Sequence, residues 1–430
     1  MKARSRWLKS YGNSMLPILH DQDIVEILPV FSKQITVDEI ISYPVKQGYI
    51  THRVIYTHPK KNWIMTKGDN NVYPDKKIQK KRILGKVNLI YRGEDSIRLD
   101  DYYLFQSTYY FEEIKMFKKQ LDTQDIQHVF LKGLPVHIYY KGSFPRRDFA
   151  DCDILFKKED QKNIHAILTK IGYQRQSSHE SPIHQLTKED VHSFEYCKVR
   201  GMFKIIFDIH FKAGLFETKL GSTDALYSPS LSNSFTNELL NQATTVTVLG
   251  EKYKILNHSY LIIYLATHIF HHNFKGYHRY NFLANVFKKK MPNILVLSKI
   301  AEKYKLDNII FAVFLLYNKY YLPKVKLAVS GRNLNPQVKK FSENMAKKIS
   351  IFTDEDLFSS AFNRLYYMYF FSEANVFVKN GVFSSYLFKA IIYLRPVVWL
   401  KIFKFAVRKV LSFRNYFFGH KSVKKMIYIF

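Results

Sequence analysis

Near residue 98 the hydrophobic period of this chain changes, and the change limits the architectures open to it. Before it, residues 23–30, 47–58, 62–69 and 86–93 are short β-branched and aromatic runs divided by Gly, Asp and Asn. Runs of that kind predict strands joined by turns. From Asp100 onward, Tyr, Phe, Ile, Met and Leu recur at three- and four-residue spacing as far as Leu121, which predicts a helix. The first boundary is therefore expected between Asp95 and Asp101.

A second α/β unit is expected beyond it. Residues 128–133 are a short apolar run ending in Gly133, residues 151–156 a second strand, and residues 203–211 a third. Between them, residues 158–173 read as an amphipathic helix closed by Gly172. From Asn257 the pattern is helical to the end, and no internal repeat is visible. A hydrophobic share of 47% excludes wholesale disorder. Two cysteines, Cys152 and Cys197, exclude a disulfide scaffold and point to a reducing compartment.

Three segments of the first region carry a chemistry together. Ser14 lies in Gly12-Asn13-Ser14-Met15-Leu16-Pro17, His52 in Ile50-Thr51-His52-Arg53-Val54, and Asp69 and Asp75 in or after Lys67-Gly68-Asp69-Asn70-Asn71. A serine nucleophile needs a base within hydrogen-bond reach, and the base needs an acceptor that fixes its tautomer. Residue types alone leave the plain alternatives of turn serine, packed histidine and solvated acids open. The order of the segments resembles the signal peptidase I family, in the branch that uses histidine as the base. Its nucleophile box is matched by Ser14 to Pro17, its Asp-Ile-Val strand by Asp23-Ile24-Val25, and its histidine box by His52-Arg53-Val54. Its Lys-Gly-Asp-Asn-Asn box is matched by Lys67 to Asn71, and its closing strand by Gly85-Lys86-Val87. The resemblance covers residues 10–92 and implies that Ser14 is the nucleophile, His52 the general base and Asp75 the residue that orients it. Asp69 then matches a second acid, with a supporting role. The backbone N–H of Ser14 is expected to serve as an oxyanion donor.

The second region carries acids. Strand alternation places Asp151 and Asp153 on one face, about 7 Å apart. Asp208 comes from a later strand, in Asp208-Ile209-His210. Three such carboxylates can hold Mg²⁺ for reaction of a nucleoside triphosphate, with Lys132 and Arg147 neutralising its phosphates. Lys132-Gly133, Arg147, Asp151 to Leu155, Gly172-Tyr173 and Asp208 to His210 together resemble a bacterial nucleotidyltransferase family of the DNA polymerase beta superfamily. That resemblance spans residues 120–290 and implies metal binding by Asp151, Asp153 and Asp208 and nucleotide binding by Lys132, Gly133 and Arg147. Leu134 stands where the superfamily carries a serine. In the histidine-rich stretch 264–285, His268 and His272, four apart, share a helix face; that spacing suits a metal, but no cysteine or acid lies close in sequence to complete a set, and they read as packing or substrate contacts. Cys152, between the acids, reads as a packed thiol.

The chain has a formal net charge of +30, and residues 374–430 hold eleven Lys or Arg with no acid. A basic amphipathic helix there suits an anionic membrane surface, a nucleic acid or acidic peptide, or a helical cap with a solvated face. Residues 1–13 hold four Lys or Arg and lack the apolar core of a signal peptide, and no window suits a membrane span. Members of the signal peptidase family normally carry such a span ahead of the nucleophile. A cytoplasmic location, with peripheral membrane contact through the tail, is therefore expected.

The expected architecture is multidomain. A β-rich signal-peptidase-like domain occupies 1–97, an α/β nucleotidyltransferase-like domain 98–250, and a helical C-terminal region with a basic tail 251–430. The expected function is bifunctional: a serine endopeptidase acting on a peptide or protein, and a Mg²⁺-dependent nucleotidyltransferase using an NTP, in peptide or protein maturation. Nucleic acid is not the expected partner. The alternative is a regulatory or binding protein with one or both sites inactive, its tail on a membrane surface or nucleic acid.

Overall fold

The computed structural model describes residues 5–30, 34–176, 193–213, 226–325, 336–354, 357–374 and 376–393. Residues 1–374 form one compact unit and residues 375–430 a second. In the second unit, the described residues form a helix, Val376–Tyr393. The rest of the basic tail lies outside the described residues. No described helix is long and apolar enough to cross a membrane.

The first part of the chain is β-rich. Strands β1 (Arg6–Lys9), β2 (Ile24–Leu28), β3 (Ile40–Val45), β4 (Gly48–Thr57), β5 (Trp63–Lys67), β6 (Ile78–Gln79), β7 (Gly85–Arg92) and β8 (Asp95–Arg98) build one sheet. Its order is β1-β2-β7-β3-β4-β5-β6, with β8 added to β7. All its described pairings are antiparallel. Gly85 has a steric reason: a Cβ there would stand 2.1 Å from the carbonyl oxygen of Leu28, where β2 and β7 meet beside a bulge. Two cores form. One gathers Ile35, Ile41, Tyr43, Val54, Ile64 and Ile78. The other gathers Met15, Ile18, Val25, Val87 and Ile90 with Leu99 and Tyr103.

Those last two residues belong to helix α1 (Leu99–Thr123). Asp100 and Asp101 sit in its first turn, where negative charge favours the positive end of the helix dipole. Its buried positions 103, 107, 110, 114, 117 and 121 alternate four- and three-residue steps, which makes one continuous stripe. The start of that stripe closes the first sheet's core. Further along, the Tyr110 hydroxyl accepts from Ile206 N and donates to Ala150 O, and Phe117 packs at 5.2 Å from Phe207. One helix thus serves both sheets.

The second sheet contains β9 (His128–Phe130), β10 (Cys152–Phe156), β11 (Gln174–Arg175), β12 (Ser193–Arg200), β13 (Phe203–His210), β14 (Ala243–Val248) and β15 (Glu251–Leu256). Its order is β11-β12-β13-β10-β9-β15-β14. Pairs β10–β13 and β9–β15 are parallel, and the rest antiparallel. Helices α2 (Leu134–Lys141), α3 (Gln161–Lys170) and α4 (Pro229–Asn241) connect the strands. The helical region comes next, as α5 (His258–His271), α6 (Tyr277–Lys289), α7 (Ile294–Lys303), α8 (Asp307–Tyr320), α9 (Pro336–Lys348) and α10 (Leu357–Phe371). The fold is a β-rich N-terminal region followed by mixed α/β and then helical structure. Strands β3, β12, β14 and β15 have no counterpart among the strands expected from the sequence, although β14 and β15 alternate apolar with polar residues as half-buried strands do.

Candidate active sites

Ser14 lies in the loop between β1 and β2. The loop is tied at its base by Ser10 N–H to Asp23 O (2.7 Å) and at its tip by Gly12 N–H to Asp21 Oδ1 (2.7 Å). Just past the serine, Met15, Ile18 and Leu19 sink into the core, which fixes the position of Ser14. Asp23 is buried, and Arg92 donates to both its oxygens at 3.0 and 2.7 Å. The Asp-Ile-Val segment is therefore a strut of this loop.

His52 comes from β4, whose register sets it opposite Ile41. Its Nε2 lies 3.0 Å from Ser14 Oγ, and its Nδ1 lies 2.6 Å from Asp75 Oδ2. A carboxylate can only accept, so Nδ1 donates, and a neutral imidazole then presents a lone pair from Nε2 to the serine hydroxyl. Asp75 is held by its own N–H on Thr66 O (2.8 Å) and by the Thr66 hydroxyl on Oδ2 (2.7 Å). Burial opposes the Asp75 charge, but hydrogen bonds from His52 and Thr66 and the charge of His52 outweigh it and hold its carboxyl below the usual range. The structure thus brings Ser14, His52 and Asp75 into one hydrogen-bonded line.

Asp69 does not join that line. Both its oxygens accept from Arg53, at 2.7 Å from Nε and 2.6 Å from Nη2. Arg53 is buried and also donates to Asp38 O, to the Tyr103 hydroxyl and to Arg146 O (3.0 Å). Gly68, beside Asp69, faces Ser14: a Cβ there would stand 2.5 Å from Ser14 O and 3.0 Å from Ser14 Cβ. Lys67, on its other side, is buried and paired with Asp354 of the helical region. Asp354 N–H in turn donates to Val72 O.

In the second sheet the parallel register sets Asp153 directly opposite Asp208. His210, two residues on and on the same face, places Nε2 at 3.1 Å from Asp153 Oδ1 and 3.2 Å from Asp208 Oδ2. These three side chains offer ligand atoms within 4.8 Å of one another. Asp151, the third acid of the expected metal set, is not among them. Lys132 Nζ stands between it and the cluster, 3.3 Å from Asp151 Oδ2 and 3.0 Å from Asp153 Oδ2. Burial works against a charge on His210, but Asp208 and Asp153 overcome it and raise its pKa to about 10. Asp153 Oδ2 is buried and, although close to Lys132, accepts no aligned hydrogen bond among the described residues. That oxygen and Asp208 are hard donors of the kind a divalent cation takes, so the residues present fit such an ion. Cys152 is fully buried on the opposite face, and its Sγ would stand 2.6 Å from a Cβ at Gly133. With φ at +118°, Gly133 tolerates no side chain on either count.

A cavity of about 200 Å³ opens beside Lys132 and Gly133. Arg147 and Asp151 line it from the sheet region, and His268, His272, His278 and Arg279 from α5, α6 and the turn between them. Phe149, Leu265 and Phe282 give it an apolar share. Burial, followed by the charge of Lys132 for His268 and of Arg279 for His272 and His278, holds these imidazoles well below their ordinary pKa. A neighbouring cavity of about 390 Å³ is lined by Lys67, Asp69, Tyr277 and Asp354 and by the same His272, His278 and Arg279. One histidine-arginine wall therefore borders both cavities, and the second touches the segment that packs on Ser14. Arg279 and His278 had no sequence signal beyond a histidine-rich stretch, and Asp354 had none. Arg53 stood inside the histidine box without a role.

Residues 104–321, just over half of the chain, match a family described as an uncharacterised nucleotidyltransferase, and the chain belongs to that family. The matched span starts inside α1 and contains Lys132, Asp153, Asp208 and His210. The residues that carry the resemblance to signal peptidase I lie before it. No curated protein and no solved structure matches the chain.

Proposed function

We propose that the chain is a bifunctional enzyme, a serine endopeptidase in its β-rich region and a nucleotidyltransferase in the region beyond it. The observation that carries the first part is the Ser14–His52–Asp75 line. On this reading, Ser14 Oγ attacks a peptide carbonyl while His52 Nε2 takes its proton, and Asp75 stabilises the imidazolium that results. His52 returns the proton to the leaving amine, and an acyl-enzyme remains on Ser14. Water then gives up a proton to His52 and attacks the acyl carbon, and His52 passes that proton to Ser14 Oγ as the acid leaves. Well-placed acid–base catalysis of this kind contributes roughly 10²- to 10⁴-fold in rate.

The transferase part rests on family membership, on the Asp153–Asp208–His210 cluster and on the cationic cavity beside it. Lys132, Arg147 and Arg279 would bind the phosphates of an NTP and orient them toward the acids. Mg²⁺, held by Asp153 and Asp208 with Asp151 nearby, would supply charge neutralisation at the reacting phosphoryl group. The shared wall supports a single peptide or protein substrate for both activities.

A rival reading keeps the transferase region as a binding module. One observation favours it: His210 already bridges the two acids, as a cation would. Two experiments separate the readings. Wild type should react with a fluorophosphonate probe and Ser14→Ala should not; equal labelling removes Ser14 as nucleophile. NTP binding measured with and without Mg²⁺ should require the metal and be lost in Asp153→Asn/Asp208→Asn. Binding that ignores both changes removes the metal-dependent transferase and leaves the binding module.

A further inference from the structure

His137 is a buried side chain that neither proposed mechanism uses. It projects from α2, is 8% exposed, and lies in the lining of the 200 Å³ cavity beside Lys132 and Arg147. Its ring stacks on Phe282 with centroids 6.0 Å apart and planes 9° from parallel, and meets Phe149 edge-on at 6.4 Å. Its Nε2 is buried and has no hydrogen-bond partner among the described residues. Folded proteins rarely leave a buried ring nitrogen unpaired, because desolvation is then uncompensated. An unpaired ring nitrogen on a residue of the cavity wall points to a partner that arrives with the ligand.

The surroundings define that partner. Burial first, then the charges of Arg147 and Lys141, push the His137 pKa down to about 3, so the ring is neutral at physiological pH. It is therefore no anion-binding group. In a neutral imidazole one ring nitrogen donates and the other accepts, so Nε2 offers a single donor or a single acceptor, directed in the plane of the ring. Phe149, Leu265 and Phe282 line the same cavity and suit a flat apolar body. A nucleobase combines a flat apolar face with a hydrogen-bonding edge, and the phosphates that accompany it suit Lys132 and Arg147.

We propose that His137 reads the base of the nucleotide: the nucleobase packs against Phe282 and its neighbours and hydrogen-bonds through its edge to His137 Nε2. This rests on the nucleotidyltransferase reading and adds to it the residue that sets base preference.

The test uses the full chain, Mg²⁺, the four common NTPs and inorganic tripolyphosphate, with affinities read by calorimetry. Wild type should prefer one or two of the NTPs. His137→Phe keeps the stack and removes the nitrogen. It should lose about tenfold in affinity for the preferred NTP, as expected for one lost hydrogen bond, and flatten the preference. Tripolyphosphate affinity should be unchanged. His137→Gln, which restores a donor and an acceptor, should recover part of the preference or move it to another base. Undiminished NTP affinity and preference in His137→Phe overturns the proposal, as does an equal loss of tripolyphosphate binding in both variants. If wild type binds neither NTP nor tripolyphosphate, the transferase reading itself falls and takes this one with it.

Discussion

At Asp75 the hydrogen bond to His52 has a definite chemical consequence. Asp75→Asn keeps the shape but supplies an amide that can donate to Nδ1, which turns the lone pair of the ring away from Ser14. Fluorophosphonate labelling of Ser14 is expected to slow by about three to four orders of magnitude, as loss of the correct tautomer does elsewhere. The same carboxyl links stability to pH. Its folded pKa is depressed, so its stabilisation is full above the unfolded value of about 3.9 and is lost as pH falls through the lower folded value. The difference in thermal midpoint between wild type and Asp75→Asn should shrink as pH falls below about pH 4. A difference that keeps growing below about pH 4 would contradict the assignment. Gly68 offers a steric counterpart. Gly68→Ala places a methyl group against the Ser14 backbone, and labelling should fall sharply while NTP binding, which lies outside that contact, is retained.

At the scale of elements, α1 holds the second sheet through Glu113. This side chain is fully buried and accepts from Lys198 (3.0 Å), Arg200 (2.6 Å) and the Tyr173 hydroxyl (3.1 Å). Glu113→Gln leaves two cations against a neutral amide. A destabilisation of about 2–3 kcal/mol is expected, below the usual figure for a broken buried pair because both cations reach solvent. A shift in the urea midpoint measures it. Legibility in the sequence also divides by element. Ser14, His52 and Asp75 were legible because they sit in short segments of fixed order on strands or tight loops, where spacing carries geometry. Asp153 and Asp208 were legible as strand acids, although only the register set them face to face. His210 in place of Asp151 was not, since it depends on where the Lys132 side chain settles. The cavity wall was legible only as a histidine-rich stretch. It forms because α5 and α6 return to the sheet more than a hundred residues after Lys132, and no local pattern encodes such an approach. Strand β12 was missed because Glu195, Lys198 and Arg200 break its apolar pattern, yet two of those charges are the ones Glu113 needs.

Across the whole molecule, several contacts join the β-rich region to the α/β and helical regions, among them Tyr56 to Tyr320 O and Lys141 to Asp38, and two of them reach the candidate sites. Arg53 reaches the carbonyl of Arg146, the residue before Arg147, which lines the cavity beside Lys132. Asp354 holds Lys67 and the carbonyl of Val72, at the two ends of the segment that packs on Ser14. Asp354→Asn should weaken the second bridge and slow Ser14 labelling several-fold while leaving NTP affinity close to wild type. Unchanged labelling would mean that the helical region does not support the serine site.

Helix α1 has one more consequence, in the order of synthesis. The core under Met15, Ile18 and Val87 is completed by Leu99 and Tyr103, which leave the ribosome after the whole first sheet. The β-rich region emerges with its apolar floor open, and it closes only when the opening turns of a helix that belongs equally to the second sheet arrive. A fragment ended at residue 97, just where the sequence suggests a clean division, would be left without that closure.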